Sequence, residues 1–557
     1  MTNSKFVFKQ TKDVSKLKEL FTLCGTQWGG PLTPEEFGVT SAKSIEEFLN
    51  SKGGTVVGFY LEDSTNENLI VACTIIRHQK ALYKLADRSS IISSTPDPTL
   101  FGVKNITALL VSFVFTHEKY RKQGLAESCI SQAIESTEQT IIDEKLENSV
   151  ESQIDNFKKM TINDYNGGVD RQLANYYLGK EYVWFLYSGV DTYYERFGFK
   201  PYPMDFYQIP TPMLTNGQEL LLETLIEESE KDQQTQLDTK SRAVGKRIKL
   251  LRWDNKQDQD IIEFIYQTKE LEILAELNKL TFHSDLQSDH KSATSLTGLT
   301  SILSMTKQHG SSGGLSSIAE KSLHPQSGIN NATDGSRRKS SAMNETIPKF
   351  SIKPSYADFR SKAVMEQGFA KTKESLEFSK IEGAILTNDL QNRSYYILWN
   401  SLKGEFFITG MGEISYESLL PSTNQHRRGS SFTGLNELGG YNFQDLDILV
   451  GAAIYNAKKR SSKFKNVYVS TTDLPNEIPD PVMYDFFINY FPFSTFADEE
   501  HHEAKKEQRA KGEEKDKISL IVNGSKEVGV LPMVKKFGSK KLDFELNWLD
   551  NGMWCWG

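Results

Sequence analysis

The chain has 557 residues, too long for one compact unit at roughly 150 residues per domain. Its 65 Lys and Arg stand against 73 Asp and Glu, a net charge of −8, so it lacks the overall basic field that sequence-independent nucleic-acid binding needs. Cys24, Cys73, Cys129 and Cys555 are too few and too scattered for a disulfide framework or a CxxC metal site. The start, MTNSKFVFKQ, has no apolar core of signal-peptide length, and the longest apolar run, 106–115, is about half a membrane span. The expectations are therefore no metal, no nucleic-acid partner, no membrane partner, and a cytoplasmic or nuclear location.

The first 215 residues read as one alternating α/β unit. Lys5–Lys9 is a short strand and Val14–Leu23 has helical spacing. Val56–Leu61 and Leu69–Ile76 flank the turn-rich EDSTNEN and predict a hairpin. Ile106–Thr116, dense in β-branched and aromatic residues, predicts a buried strand. A helix is expected from Gly124 through Glu138, with a charged, solvated extension to Met160. EYVWFLYSGV is a second buried strand, DTYYERFGF a short helix ending at Gly198, and two short strands near Phe199 and Phe206 close the unit.

Residues 216–245 read as an acidic helical connector, LLLETLIEESEKDQQ at its centre. A second unit, 246–557, opens with the strand RIKLLRW and a capped helix. From 284 to 346 the chain is rich in Ser, Thr, Gly and Asn and lacks the apolar density of a core, which predicts disorder. Strands follow at Gly383–Leu386, Tyr395–Asn400 and Glu405–Thr409, then a helix at Phe443–Lys459, a strand at Val467–Ser470, a helix at Pro481–Phe491 and a strand at Ile518–Val522. That order repeats the first unit's, which predicts two copies of one topology.

The sharpest feature is the strand-to-helix junction VFTHEKYRKQGLAESCI, residues 114–130. The first amides of a helix lack intrahelical partners and carry partial positive charge, so such a junction binds anions. Gly124 lets a phosphate approach the backbone, Ala126 stays small, and Arg121 and Lys122 add charge. The pattern Arg121-x-x-Gly124-x-Ala126 is neither a P-loop nor a G-x-G dinucleotide turn. Alone, it also fits an ordinary helix start with a basic turn. A later strand ends at Ser188-Gly189, and Tyr194 lies four residues before Gly198-Phe199.

Together, Arg121-x-x-Gly124-x-Ala126 and Tyr194-x-x-x-Gly198-Phe199 resemble the GCN5-related N-acetyltransferase (GNAT) superfamily. SFVFTHEKYRKQGLAE, LYSGVDTYYERFGF and LPMVKK…WCWG are further similar to the fungal lysine acetyltransferase group, which acetylates the N6 amine of free lysine. The resemblance implies a GNAT fold with a central mixed α/β sheet; the second unit has no R-x-x-G-x-A, so as a GNAT-like α/β domain it is expected to be degenerate and non-catalytic. It implies acetyl-CoA as co-substrate, held by Val114, Phe115 and Thr116 of the strand and by Arg121, Lys122, Gln123, Gly124, Leu125 and Ala126 of the loop and helix start. Tyr194 is the expected acid for the leaving thiolate, and a backbone amide near Phe115 or Thr116 the oxyanion donor. Trp28 sits in the loop expected to wall the acceptor site, against the plainer reading of a core tryptophan. Where the family often has Pro, this chain has Glu118, a negative charge near the anion site.

The implied reaction is acetyl transfer to free L-lysine in lysine catabolism. A protein lysine or another small amine, or a non-catalytic acetyl-CoA-binding role, stays open. The general base is not legible; the carboxylate of Gly557 is one candidate, simple packing of the aromatic tail the other. Arg337-Arg-Lys-Ser340 and Arg427-Arg-Gly-Ser430 fit the R-R-x-S pattern of basophilic kinases, where phosphate adds roughly two negative charges.

Overall fold

The computed structural model describes residues 5–50, 54–84, 103–147, 169–234, 245–288, 347–370, 375–402, 404–414, 443–476, 478–494 and 517–556. Ser340, Ser430, Gly557 and most of the stretch expected to be disordered lie outside them.

The first half runs β1 (Phe6–Thr11), α1 (Val14–Trp28), α2 (Pro34–Asn50), β2 (Thr55–Asp63), β3 (Leu69–Lys84), β4 (Val103–Thr116), α3 (Leu125–Glu147), β5 (Tyr182–Ser188), β6 (Lys200–Pro201) and β7 (Phe206–Pro210). Helix α4 (Asn216–Gln234) leads to β8 (Lys246–Arg252), α5 (Lys256–Ser288), β9 (Lys349–Ile352), α6 (Tyr356–Ala370), β10 (Ile381–Asn388), β11 (Arg393–Leu402) and β12 (Glu405–Ile414). Helix α7 (Phe443–Arg460), β13 (Asn466–Ser470), β14 (Ser519–Ile521), β15 (Leu531–Lys536) and β16 (Asn547–Trp548) complete it.

Among the described residues these strands form two mixed sheets of matching order. The main path of one reads β1-β2-β3-β4-β5-β15-β6, with β9 added along the end of β3 and β16 beside β9; the other reads β8-β10-β11-β12-β13-β7-β14. The fourth and fifth strands of each run parallel: β4 beside β5 over Thr107–Leu110 and Tyr182–Phe185, and β12 beside β13 over Phe406–Ile408 and Val467–Val469. Each fourth strand carries a bulge against the third. The register passes from Cys73↔Phe115 to Ile75↔Ser112 in the first sheet, and from Leu398↔Gly410 to Trp399↔Ile408 in the second. The fold class is the expected one, an α/β topology present twice.

The sheets do not divide at residue 215. Strand β7, from the first half, sits between β13 and β14, and β15, from the chain's end, sits between β5 and β6. Each half supplies the sixth strand of the other's sheet. Leu531, Met533 and Val534 of β15 are buried in the first half's cores, and Tyr207 and Ile209 of β7 in the second half's.

Two expectations fail for packing reasons. Helix α3 continues past Glu138 because Ile141 and Ile142 prolong its apolar face and are buried with Ile134 and Trp184. Helix α4 is no solvated connector: Leu222 and Leu225 enter the second sheet's core, and Glu223 pairs with Lys459 at 3.0 Å. Helix α5 also runs into the stretch expected to be disordered, as far as Ser288. Between the sheets lies a shared layer in which α5, Phe359 of α6, Trp548 and Trp554 meet strands from both. Helix α6 docks on the first unit: the Ser44 and Ser361 hydroxyls lie 2.7 Å apart, and a Cβ on Gly368 would meet Thr40 Cγ2 at 2.3 Å.

Candidate active site

The parallel pairing of β4 with β5 ends at Leu110↔Phe185, yet β4 runs on to Thr116 and β5 to Ser188. Beyond that pair the two strands part. The bulge lies in the parted stretch: Phe113 takes φ +50°, turning its ring towards α1 and α2, where it meets Phe21 at 4.8 Å. Val114 and Thr116 are partly open, and the Thr116 hydroxyl has no hydrogen-bond partner among the described residues. Phe115 is buried, with the Trp28 ring edge-on at 5.5 Å.

The loop after β4 is stapled rather than loose. His117 caps a single turn, accepting from the Lys119 amide at 3.3 Å through Nδ1. The Tyr120 hydroxyl donates to Asp63 at 3.0 Å. Arg121 lies along the site, donating to Gln27 Oε1 at 2.6 Å and to the Thr116 carbonyl at 3.4 Å. Its guanidinium sits 5.8 Å from the Phe115 ring centre.

Arg121, Lys122, Gln123 and Gly124 are all exposed. Gly124 takes φ +73°, and an added Cβ would meet nothing within 4 Å. Backbone conformation thus favours glycine here, and the space before it is open to a ligand. Leu125 is buried and seats the first turn of α3, Ala126 is partly open, and the first-turn amides face that space. Glu118, feared as a repulsive charge, is exposed to solvent. Glu127 in the first turn is engaged by Arg196 at 3.3 Å. Exposed basic side chains and an open glycine at a helix start are chemically suited to an anion such as a phosphate or pyrophosphate.

Tyr194 comes from the turn after β5, Asp191–Phe197, which ends at Gly198. Gly198 has φ +90°, and a Cβ there would strike the Lys540 backbone at 2.8 Å, so the tail fixes this turn. Tyr194 is 8% exposed, packed edge-on to Tyr193 at 5.2 Å and Phe199 at 6.2 Å. Its hydroxyl has no hydrogen-bond partner among the described residues, and burial pushes the phenol's pKa above its ordinary value. Tyr193 packs under Arg196 at 4.4 Å.

Trp28 is 40% exposed at the end of α1, which removes the core-tryptophan reading. Sequence reasoning missed Gln27, Phe113 and the contribution of α6. Only the 3–4 spacing within SYADFRSKAVMEQGFA marked the last of these.

The second unit's corresponding helix start is closed. At the head of α7, Asp445 is fully buried and accepts from Lys246 at 2.7 Å and Asn388 at 3.1 Å. Phe443 packs on Phe486 at 5.4 Å and Tyr490 at 4.9 Å. Among the described residues, acids and aromatics stand at this helix start, whereas the first unit's is open and basic.

No known protein-family model matches the chain, and no curated protein does. Among solved structures it is similar to a probable N-acyltransferase of unknown function from Enterococcus faecalis, at 8% identity and TM-score 0.35, covering 95% of this chain and 72% of that one. A GCN5-related N-acetyltransferase from Kribbella flavida shares 8% identity at TM-score 0.33, covering 95% and 71%. A tandem GNAT protein from the clavulanic acid biosynthesis pathway shares 8% at TM-score 0.33, covering 96% and 99%. Likeness at this level carries no argument about activity.

Proposed function

We propose that the chain is an acetyl-CoA-dependent N-acetyltransferase of the GNAT type whose acceptor is free L-lysine. The observation that carries this reading is the parting of β4 from β5 beside an exposed, basic helix start with Gly124 open before it. An extended thioester with a pyrophosphate suits that geometry: an unpaired strand edge for an amide-bearing chain, and an anion site at its end. Arg121, Lys122, Gln123, Gly124, Leu125 and Ala126 are its proposed holders, with Val114, Phe115 and Thr116 along the chain.

Acetyl-CoA supplies the thioester. The acceptor amine attacks its carbonyl; a C–N bond forms, the C–S bond breaks, one amine proton leaves and sulfur takes one up. The acceptor arrives mostly protonated, since an ordinary lysine amine has a pKa near about 10.4. A backbone amide near Phe115 or Thr116 is the proposed donor to the developing oxyanion. Tyr194 stays protonated, and its unpartnered hydroxyl is free to donate at sulfur. With its pKa above the ordinary 10 and a thiol near about 8.5, full proton transfer to thiolate is uphill. Tyr194 therefore acts chiefly as a hydrogen-bond donor to the leaving group. The second unit, with its helix start closed, is read as non-catalytic.

The test is release of CoA thiol from acetyl-CoA with and without L-lysine, for the native chain and Tyr194→Phe, with the product located by mass spectrometry. Lysine-dependent release yielding N6-acetyl-lysine and falling in the variant supports the reading. Absence of release despite acetyl-CoA binding sinks it.

A further inference from the structure

Helix α6 presents Asp358, Lys362, Met365 and Phe369 at spacings of four, three and four, which places them on one face. All four are partly open rather than sealed in the core. At one end, the Phe369 ring lies 6.0 Å from Phe37, whose ring is 6.5 Å from Phe113 at the β4 bulge. A Cβ on Gly30, two residues beyond Trp28, would meet Phe369 at 3.9 Å. At the other end, Asp358 accepts from Arg77 at 3.2 Å and Gln79 at 2.9 Å on β3. Arg77 pairs across the strands with Leu110, the last β4 residue before the parting. The stripe therefore runs from the aromatic group beside the bulge to a charged group on the inner face of the first sheet.

Lys362 lies between the two ends. Its ammonium donates to the Trp554 carbonyl at 3.0 Å, one of the three hydrogen bonds it has to give. The nearby carboxylates are already engaged: Asp358 by Arg77 at 3.2 Å, Glu366 by Arg460 at 3.1 Å, Asp550 by Lys269 at 3.0 Å. Among the described residues no carboxylate lies within ion-pair distance of Lys362. Its pKa falls to about 8, chiefly through burial, with Asp358 and Glu366 opposing the fall from beyond ion-pair distance. Lys362 thus stands in the middle of the stripe with hydrogen bonds still to give, and the stripe's aromatic end reaches the β4 bulge through Phe369, Phe37 and Phe113.

We propose that Lys362 anchors a carboxylate of the acceptor, so that the acceptor is an amino acid whose side-chain amine reaches the β4 bulge while its methylenes lie along Met365 and Phe369. This rests on the acetyl-transfer reading and deepens it. It favours a free amino acid over a simple diamine, which lacks the carboxylate, and over a lysine within a protein, whose carboxyl is an amide.

The test compares L-lysine with 1,5-diaminopentane, its decarboxylated counterpart, as acceptors for the native chain, Lys362→Met and Lys362→Arg. Circular dichroism and acetyl-CoA affinity check that each variant is folded. The native chain should prefer lysine; Lys362→Met should cut that preference about tenfold or more through KM, and Lys362→Arg should keep part of it. An unchanged preference overturns the proposal. An equal fall in kcat for both acceptors also overturns it, since Lys362 would then act on the amine or on the structure. If the native chain acetylates neither amine, the acetyl-transfer reading fails, and calorimetric titration with L-lysine decides the anchor separately. Binding lost in Lys362→Met keeps it; equal binding, or none, overturns it.

Discussion

Arg121 donates to Gln27 Oε1 at 2.6 Å, a bond that ties the loop after β4 to the last turn of α1, ninety-four residues earlier. The guanidinium is thereby held over the parted strands before any ligand arrives. Arg121→Ala should weaken acetyl-CoA binding by about tenfold or more, the loss expected of one charge-assisted hydrogen bond. Gln27→Ala, which only frees the guanidinium, should weaken it less. Calorimetric titration with acetyl-CoA measures both.

Gly124→Ala separates conformation from crowding. The site has room for a Cβ, so folding should lose only the cost of a left-handed alanine, about 1–2 kcal/mol. Acetyl-CoA affinity should fall further than stability does, because the methyl enters the space in front of the helix start. Thermal unfolding and titration on the same sample test this.

Tyr194→Phe removes a hydroxyl that has no partner among the described residues, so stability should change little while kcat falls. Burial raises the phenol's pKa, so the native state keeps its proton throughout the neutral range. Its contribution to stability is complete below the ordinary phenol pKa and is lost only above it. The pH–rate profile from about pH 6 to 9 should therefore show no inflection that Tyr194→Phe abolishes.

Lys362 has the opposite sense for a cation. Its folded pKa, about 8, lies below that of an exposed lysine. Between those two values the unfolded chain binds a proton that the folded chain does not, so stability rises with pH there. Chemical denaturation at several pH values should show that rise in the native chain and a shallower one in Lys362→Met.

The exchanged strands predict interdependence of the halves. A chain ending at residue 240 lacks β15 and leaves β5 unpaired on that edge, so it should fail to fold alone. Met533→Ala, at a fully buried site, should cost about 2–5 kcal/mol and loosen the first unit from three hundred residues away. Unfolding followed by circular dichroism and by aromatic fluorescence should coincide in one transition.

Much of this was legible in residue pattern. The β-branched run 106–116 had to be a buried strand, and Arg121, Gly124 and Ala126 marked the strand-to-helix junction that the structure leaves open and basic. The repeat of topology showed in element order although residues do not repeat. The exchange of β7 and β15 did not show, because a short strand's pattern fixes its alternation but not its neighbour. Helix α4 looked solvated because its charges dominate; Leu222 and Leu225 form a narrow buried stripe beneath them. Lys362 was illegible for a similar reason: its importance lies in which carboxylates are already taken, and that is settled by folding.

Hydrogen–deuterium exchange with and without acetyl-CoA tests the central claim most directly. Acetyl-CoA should protect amides across 111–128 and around Tyr194, and leave the head of α7 in the second unit unchanged. Protection absent from 111–128, or centred on α7, would contradict it.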